Sequence, residues 1–127
     1  MLHEWNRGEY TISTDRSRLD ADVIEGFFRQ SYWAPERPRE RIQTSIDASL
    51  PFGLYHQGAQ IGFARVLTDY VTLAFVADVF VAQAHRGKGL GTWLVETLMS
   101  LPELRGVRRW MLTTRDAHGL YRKFGFQ

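Results

Sequence analysis

The sequence contains no cysteine. That absence excludes a disulfide framework, a thiolate nucleophile and a cysteine-ligated zinc site together. Proline is scarce, with four in the chain, and Pro35, Pro38 and Pro102 fall where helical patterns stop. No apolar run approaches the roughly 18 residues that a membrane-spanning helix needs. The opening stretch "MLHEWNRGEY" is polar and lacks the apolar centre of a secretory signal. An excess of one charge is missing too: 16 Lys and Arg face 14 Asp and Glu, a formal net charge of +2. That gives no general case for nucleic acid, and no helix pattern carries the basic face of a DNA reader. A local basic patch can still hold an anion. His3, His56, His85 and His118 show no metal-ligand spacing and read as surface or loop residues. These exclusions point to a soluble, cytoplasmic protein without nucleic-acid, membrane or metal partners.

What remains is a globular composition, 44% hydrophobic and 13% aromatic over 127 residues, enough for one domain with a real core. "EYTIST" (9–14) predicts a first strand. "DADVIEGFFRQSYW" places Val23, Ile24, Phe27 and Phe28 at helical spacing behind Asp20 as N-cap. "RERIQTSIDASL" repeats Ile42, Ile46 and Leu50 on one face and predicts a second helix. From "FGLYHQGAQIGFARVLTD" the period changes to that of a hairpin turning at Gln57 to Ala59. "LAFVADVFV" (73–81) is almost continuously apolar, as a central strand covered on both faces should be. A third helix carries Leu90, Leu94, Leu98 and Leu101, before a strand in "RRWMLTT", a short helix in "DAHGLYRKF" and the closing "GFQ". The fold class is therefore α/β: one mixed sheet with helices on both faces.

Between the central strand and the third helix lies "HRGKGLG" (85–91), three glycines alternating with Arg86, Lys88 and Leu90. Amides at a helix N-terminus lack intrahelical partners and carry the positive end of the helix dipole. Glycines let a ligand approach those amides and allow the turns that gather them, and two cations reinforce the field. The combination suits a phosphate group. A Walker-type loop is excluded because Gly89 follows Lys88, and the dinucleotide fingerprint fails at Thr92.

The pattern present is Arg-x-x-Gly-x-Gly, as Arg86, Gly89 and Gly91, and downstream "AHGLYRKFGF" supplies Ala117, Tyr121, Gly125 and Phe126. With the element order, these two motifs resemble the GNAT acetyltransferase family over nearly the whole chain. The resemblance implies a mainly antiparallel GNAT sheet, acetyl-coenzyme A as co-substrate, no metal, and acetyl transfer to a primary amine of a small molecule or peptide. It leaves room for a homodimer. The family pattern continues past Gly-Phe with a further strand, so one strand is expected to be missing after Gln127 from this domain of residues 1–127.

By the same resemblance, coenzyme binding falls to the backbone of Val79, Phe80 and Val81 and to Arg86, Gly87, Lys88, Gly89, Leu90, Gly91 and Thr92. The amine poses a protonation problem, since at a pKa near 10.4 only about 0.04% is neutral at pH 7. Asp78, the one charged residue in the central strand, is the candidate base or water relay; the alternative is a carboxylate satisfied by nearby backbone N–H groups. Tyr121 matches the acid that protonates the leaving thiolate, and the alternative there is a core tyrosine. Tyr32, Trp33 and Arg37 cluster near the first helix–helix connection, where acceptors contact the protein in this family, or else they are core packing. A non-catalytic acyl-coenzyme A sensor on the same fold would keep the loop and need neither Tyr121 nor Asp78.

Overall fold

The computed structural model describes residues 2–112. The short helix and terminal residues expected after 112, with Ala117, His118, Tyr121, Gly125 and Phe126, lie outside the described residues. The described chain runs β1 (Glu4–Arg7), β2 (Tyr10–Ser13), α1 (Ala21–Arg29), α2 (Arg39–Asp47), β3 (Leu50–His56), β4 (Ala59–Thr68), β5 (Leu73–Val81), α3 (Leu90–Met99) and β6 (Arg109–Leu112). Its strands form one sheet in sequential order. Neighbours are antiparallel except β5 and β6, which are parallel. A parallel pair needs a crossover, and α3 supplies it.

Most elements follow local chemistry. Asp20 caps α1, its carboxylate accepting from the N–H groups of Asp22 and Val23. Gln57 and Gly58 both take positive φ, 52° and 88°, which suits the two-residue turn joining β3 to β4. Two expectations need correction. Residues 4–7, part of the polar opening to which the sequence reading assigns no element, form β1, because the left-handed Gly8 (φ 59°) folds them back as a hairpin onto β2. The second helix stops at Asp47, and Leu50, assigned to its apolar face, begins β3 opposite Val66. Side-chain hydroxyls end that helix: Ser45 and Ser49 bond carbonyls of the turns before them.

The sheet separates two cores. On one face Phe52, Leu54, Ala64, Val66, Ala74 and Val76 pack with Leu90, Trp93, Leu94 and Leu98 of α3. On the other, Phe63 and Phe80 pack with Ile24 and Phe28 of α1 and Ile42 and Ile46 of α2. Strand β5 contributes to both because its register slips: Arg65 faces Asp78 while the adjacent Val66 faces Val76, leaving Ala77 as an extra residue. A bulge of this kind reverses which side chains face which layer. Ala74 and Val76 point toward α3 before it; Val79 and Val81 do so after it.

Gly62, paired with Leu54 of β3 and Val81 of β5, sits where the three strands approach closely. A Cβ there would come within 2.8 Å of the Leu54 side chain and 2.9 Å of the Phe80 carbonyl oxygen. Gly62→Ala should therefore lower stability by about 1–3 kcal/mol, measured by urea denaturation, and an unchanged midpoint would contradict this packing.

Candidate active site

The strand-to-helix junction is shaped by its glycines. Gly87 and Gly89 sit at φ 81° and 78°, and a Cβ at Gly87, Gly89 or Gly91 would meet no described residue within 4 Å. Open space therefore lies in front of the main chain here. Gly89 is the N-cap of α3 and offers no side-chain hydrogen bond to the helix. Its carbonyl accepts from Trp93, so the N–H groups of Leu90, Gly91 and Thr92 belong to the first turn, which helix geometry leaves without intrahelical partners. Lys88 and Arg86 are exposed, and Arg86 Nε donates to the Val81 carbonyl at 2.9 Å, which ties the loop to the end of β5. Leu90 is buried and anchors the helix in the core. Glycines, helix amides and cations are thus brought together with room for an anion.

The structure also brings together two histidines read as separate surface residues. His56, from the β3–β4 turn, and His85, just ahead of the loop, have ring centroids 5.0 Å apart. Tyr10 on β2 completes the group through a 3.0 Å hydrogen bond between its Oη and His85 Nδ1. Residues 10, 56 and 85 meet only because β2 pairs with β3 opposite the end of β5, a relation no local spacing displays.

On the other face, just beyond the bulge, Asp78 is buried. Its oxygens accept from side chains, where the sequence reading considered backbone N–H groups: Oδ2 from Arg65 Nε at 2.6 Å and Oδ1 from Trp33 Nε1 at 3.1 Å. Trp33 comes from the α1–α2 connection and stacks on Phe80 at 5.2 Å and 21°. Phe27 stacks on the same ring, also at 5.2 Å. Tyr32 packs edge-on against Trp33, and the Arg37 guanidinium lies over Phe28 at 4.9 Å. Trp33 and Tyr32 remain 43% and 45% exposed, so this cluster is a partly open aromatic wall beside a buried ion pair. Arg65 was missed by sequence reasoning. An arginine three residues before the polar end of an apolar strand carries no local signal until its partner across the ladder is known. A cavity of about 300 Å³ lined by His3, Arg16, Phe52 and Glu103, among others, involves neither the loop nor this cluster. Among the described residues no group of three or more His, Cys, Asp or Glu could hold a metal ion, and no helix is long and apolar enough to cross a membrane.

His85 gives a pH signature. Burial lowers its pKa from the ordinary 6.5, with His56 and Lys88 nearby adding repulsion. The unfolded chain then takes up this proton before the folded one does, so stability should fall as pH drops through about 6.5 and level off below the folded pKa. Thermal melts from pH 8 to 5 should show a smaller acid loss for His85→Gln than for wild type. Parallel curves would contradict the assignment.

Comparison with known proteins agrees with the fold. The sequence model of the Acetyltransferase (GNAT) family matches residues 2–126. A Gibberella zeae protein provisionally named an acetyltransferase is 31% identical, the match covering 94% of this chain and 79% of that protein. A crystal structure of a GNAT-family protein from Xanthomonas campestris superposes with a TM-score of 0.87 at 42% identity, covering 100% of this chain and 84% of the other. An Elizabethkingia anophelis GNAT acetyltransferase solved with acetyl-CoA bound shares the fold, with a TM-score of 0.72 at 15% identity over 95% of this chain and 78% of that one. Together with the crossover helix, the bulged central strand and the glycine junction, the match over nearly its whole length is decisive: this chain belongs to the GNAT family of acetyltransferases.

Proposed function

We propose that this protein transfers the acetyl group of acetyl-coenzyme A to a primary amine. The observation that carries the reading is the open, glycine-lined junction with two exposed cations at the N-terminus of α3. It fits a pyrophosphate: the first-turn amides are grouped, a Cβ at Gly87, Gly89 or Gly91 would meet no described residue within 4 Å, and Arg86 and Lys88 supply positive field. The loop from Arg86 to Thr92 would hold the phosphates, and the backbone of Val79, Phe80 and Val81 the arm that ends in the thioester. The family match and the acetyl-CoA-bound relative support the same co-substrate.

The bound coenzyme supplies an activated acetyl group: the amine nitrogen bonds to the carbonyl carbon, the carbon–sulfur bond breaks, and sulfur leaves as thiolate. Backbone N–H groups around Val79 to Val81 would receive the charge that grows on the carbonyl oxygen. Tyr121, the residue that fits the family motif, donates the proton that the thiolate takes up. Asp78 organises the acceptor side: with both oxygens engaged, it holds Arg65 and Trp33 in place, and the proton lost by the amine leaves through water.

Two experiments test this. Gly89→Val places a β-branched residue at φ 78° and covers the amides. The variant should lose the thermal stabilisation that acetyl-coenzyme A gives the wild type; undiminished stabilisation would remove the loop assignment.

Asp78→Asn separates holding from proton abstraction. As an anchor, Asp78 loses its charge attraction to buried Arg65, so stability should drop by about 1–3 kcal/mol and thiol release should fall alike at every pH. Activity that recovers as rising pH supplies neutral amine, with an unchanged melting temperature, would instead make Asp78 the base.

A further inference from the structure

We propose that the acceptor amine carries a carboxylate and that Arg65 recognises it. The inference rests on the acetyl-transfer reading above and adds the substrate class. The Arg65 side chain is nine-tenths buried, at 10% exposure, and that of Asp78 is buried to 2%. A guanidinium has five N–H donors. Here Nε is spent on Asp78 Oδ2, which leaves the Nη1 and Nη2 fork. Among the described residues, the one fully buried side-chain polar atom without a partner is Tyr55 Oη. The two terminal nitrogens of Arg65 are therefore not sealed in the core, in keeping with the 10% exposure of the side chain.

That geometry differs from an ion pair serving packing alone. A structural arginine–carboxylate pair gains most from two parallel bonds. Here the carboxylate takes the Nε side with one oxygen and gives its other oxygen to Trp33 Nε1. Asp78 fixes the plane of the guanidinium, and the pair of donors that best matches a planar anion is left over. Bringing an arginine this far out of water is costly unless its donors are used.

Location selects the ligand. Phosphates are provided for at the α3 end of β5, whereas Arg65 lies across the ladder from Asp78, one residue before the proposed carbonyl donors. A group bound at its Nη atoms is thus close to the reacting carbon, so only a few bonds can separate the acceptor's carboxylate from its amine. A free amino acid or short peptide meets that condition. Its charges also suit the site, with the carboxylate on Arg65 and the amine toward the thioester. The exposed faces of Trp33 and Tyr32 offer its side chain an apolar wall.

The test uses the full chain with acetyl-coenzyme A and measures thiol release. Each free L-amino acid is compared with its carboxamide and with the amine lacking the carboxylate altogether. Wild type should prefer the free acid by about 10²-fold in kcat/KM, the scale of a charge-assisted bidentate contact. Arg65→Lys keeps the charge without the fork and should reduce the ratio. Because Arg65→Gln alone strands Asp78, the neutral pair Arg65→Gln with Asp78→Asn is the decisive variant. Its ratio should fall to about one while thermal stabilisation by acetyl-coenzyme A persists. A purely structural Arg65 would depress all three substrates equally and keep the ratio. Equal transfer to all three by wild type, or a preference for the amine without a carboxylate, overturns the inference and leaves acetyl transfer standing. Transfer to no member of the panel by a chain that acetyl-coenzyme A stabilises overturns both.

Discussion

Ala77 is one residue more than β4 can match, and much of this molecule is arranged around that surplus. Without it, strict alternation would carry Asp78 and Phe80 to the face that Ala74 and Val76 occupy, into the aliphatic core beneath α3. With it, Phe80 joins Phe63, Ile24 and Phe28 on the opposite face, and Val79 and Val81 take over the contact with α3. The bulge thus lets a single strand seal one core with its first half and present a polar residue to the other layer with its second.

The polar residue has a consequence of its own. A carboxylate and a guanidinium under an aromatic layer must be held by good geometry, since both have left water. Arg65 on β4 and Trp33 on the α1–α2 connection meet that demand from two directions. In doing so they fix a connection that two prolines keep from becoming helix. Trp33 and Phe27 sandwich Phe80, so the ion pair, the loop and the end of β5 are one packed unit. Charge and packing are coupled here; neither could be removed while leaving the other as it is.

The two halves of the proposed site use different chemistry. Around α3 the groups offered are main-chain amides, positioned by glycines whose conformations other residues rarely adopt. Around Asp78 they are side chains drawn from β4, β5 and the α1–α2 connection. A main-chain site is written in consecutive residues, and a side-chain site is assembled from distant ones. Tyr10, His56 and His85 behind the loop belong to the second kind although they border the first.

That division decides what could be read without the fold. The sequence by itself determined the loop, because Gly87, Gly89 and Arg86 act through backbone geometry encoded within seven residues, and it determined the helix of Leu90, Leu94 and Leu98, the cap at Asp20 and the turn at Gln57 and Gly58. It also determined that β5 would be interior, through a run of apolar residues with one exception. Its period misled where tertiary pairing overrode it: β1 exists because β2 is there to bond it, and Leu50 leaves a helical repeat to pair with Val66. Only the tertiary structure decided which way Asp78 faces and that Arg65 and Trp33 would meet it. Register is a relation between strands, and one unmatched residue such as Ala77 redirects every side chain after it while leaving the composition of the strand unchanged.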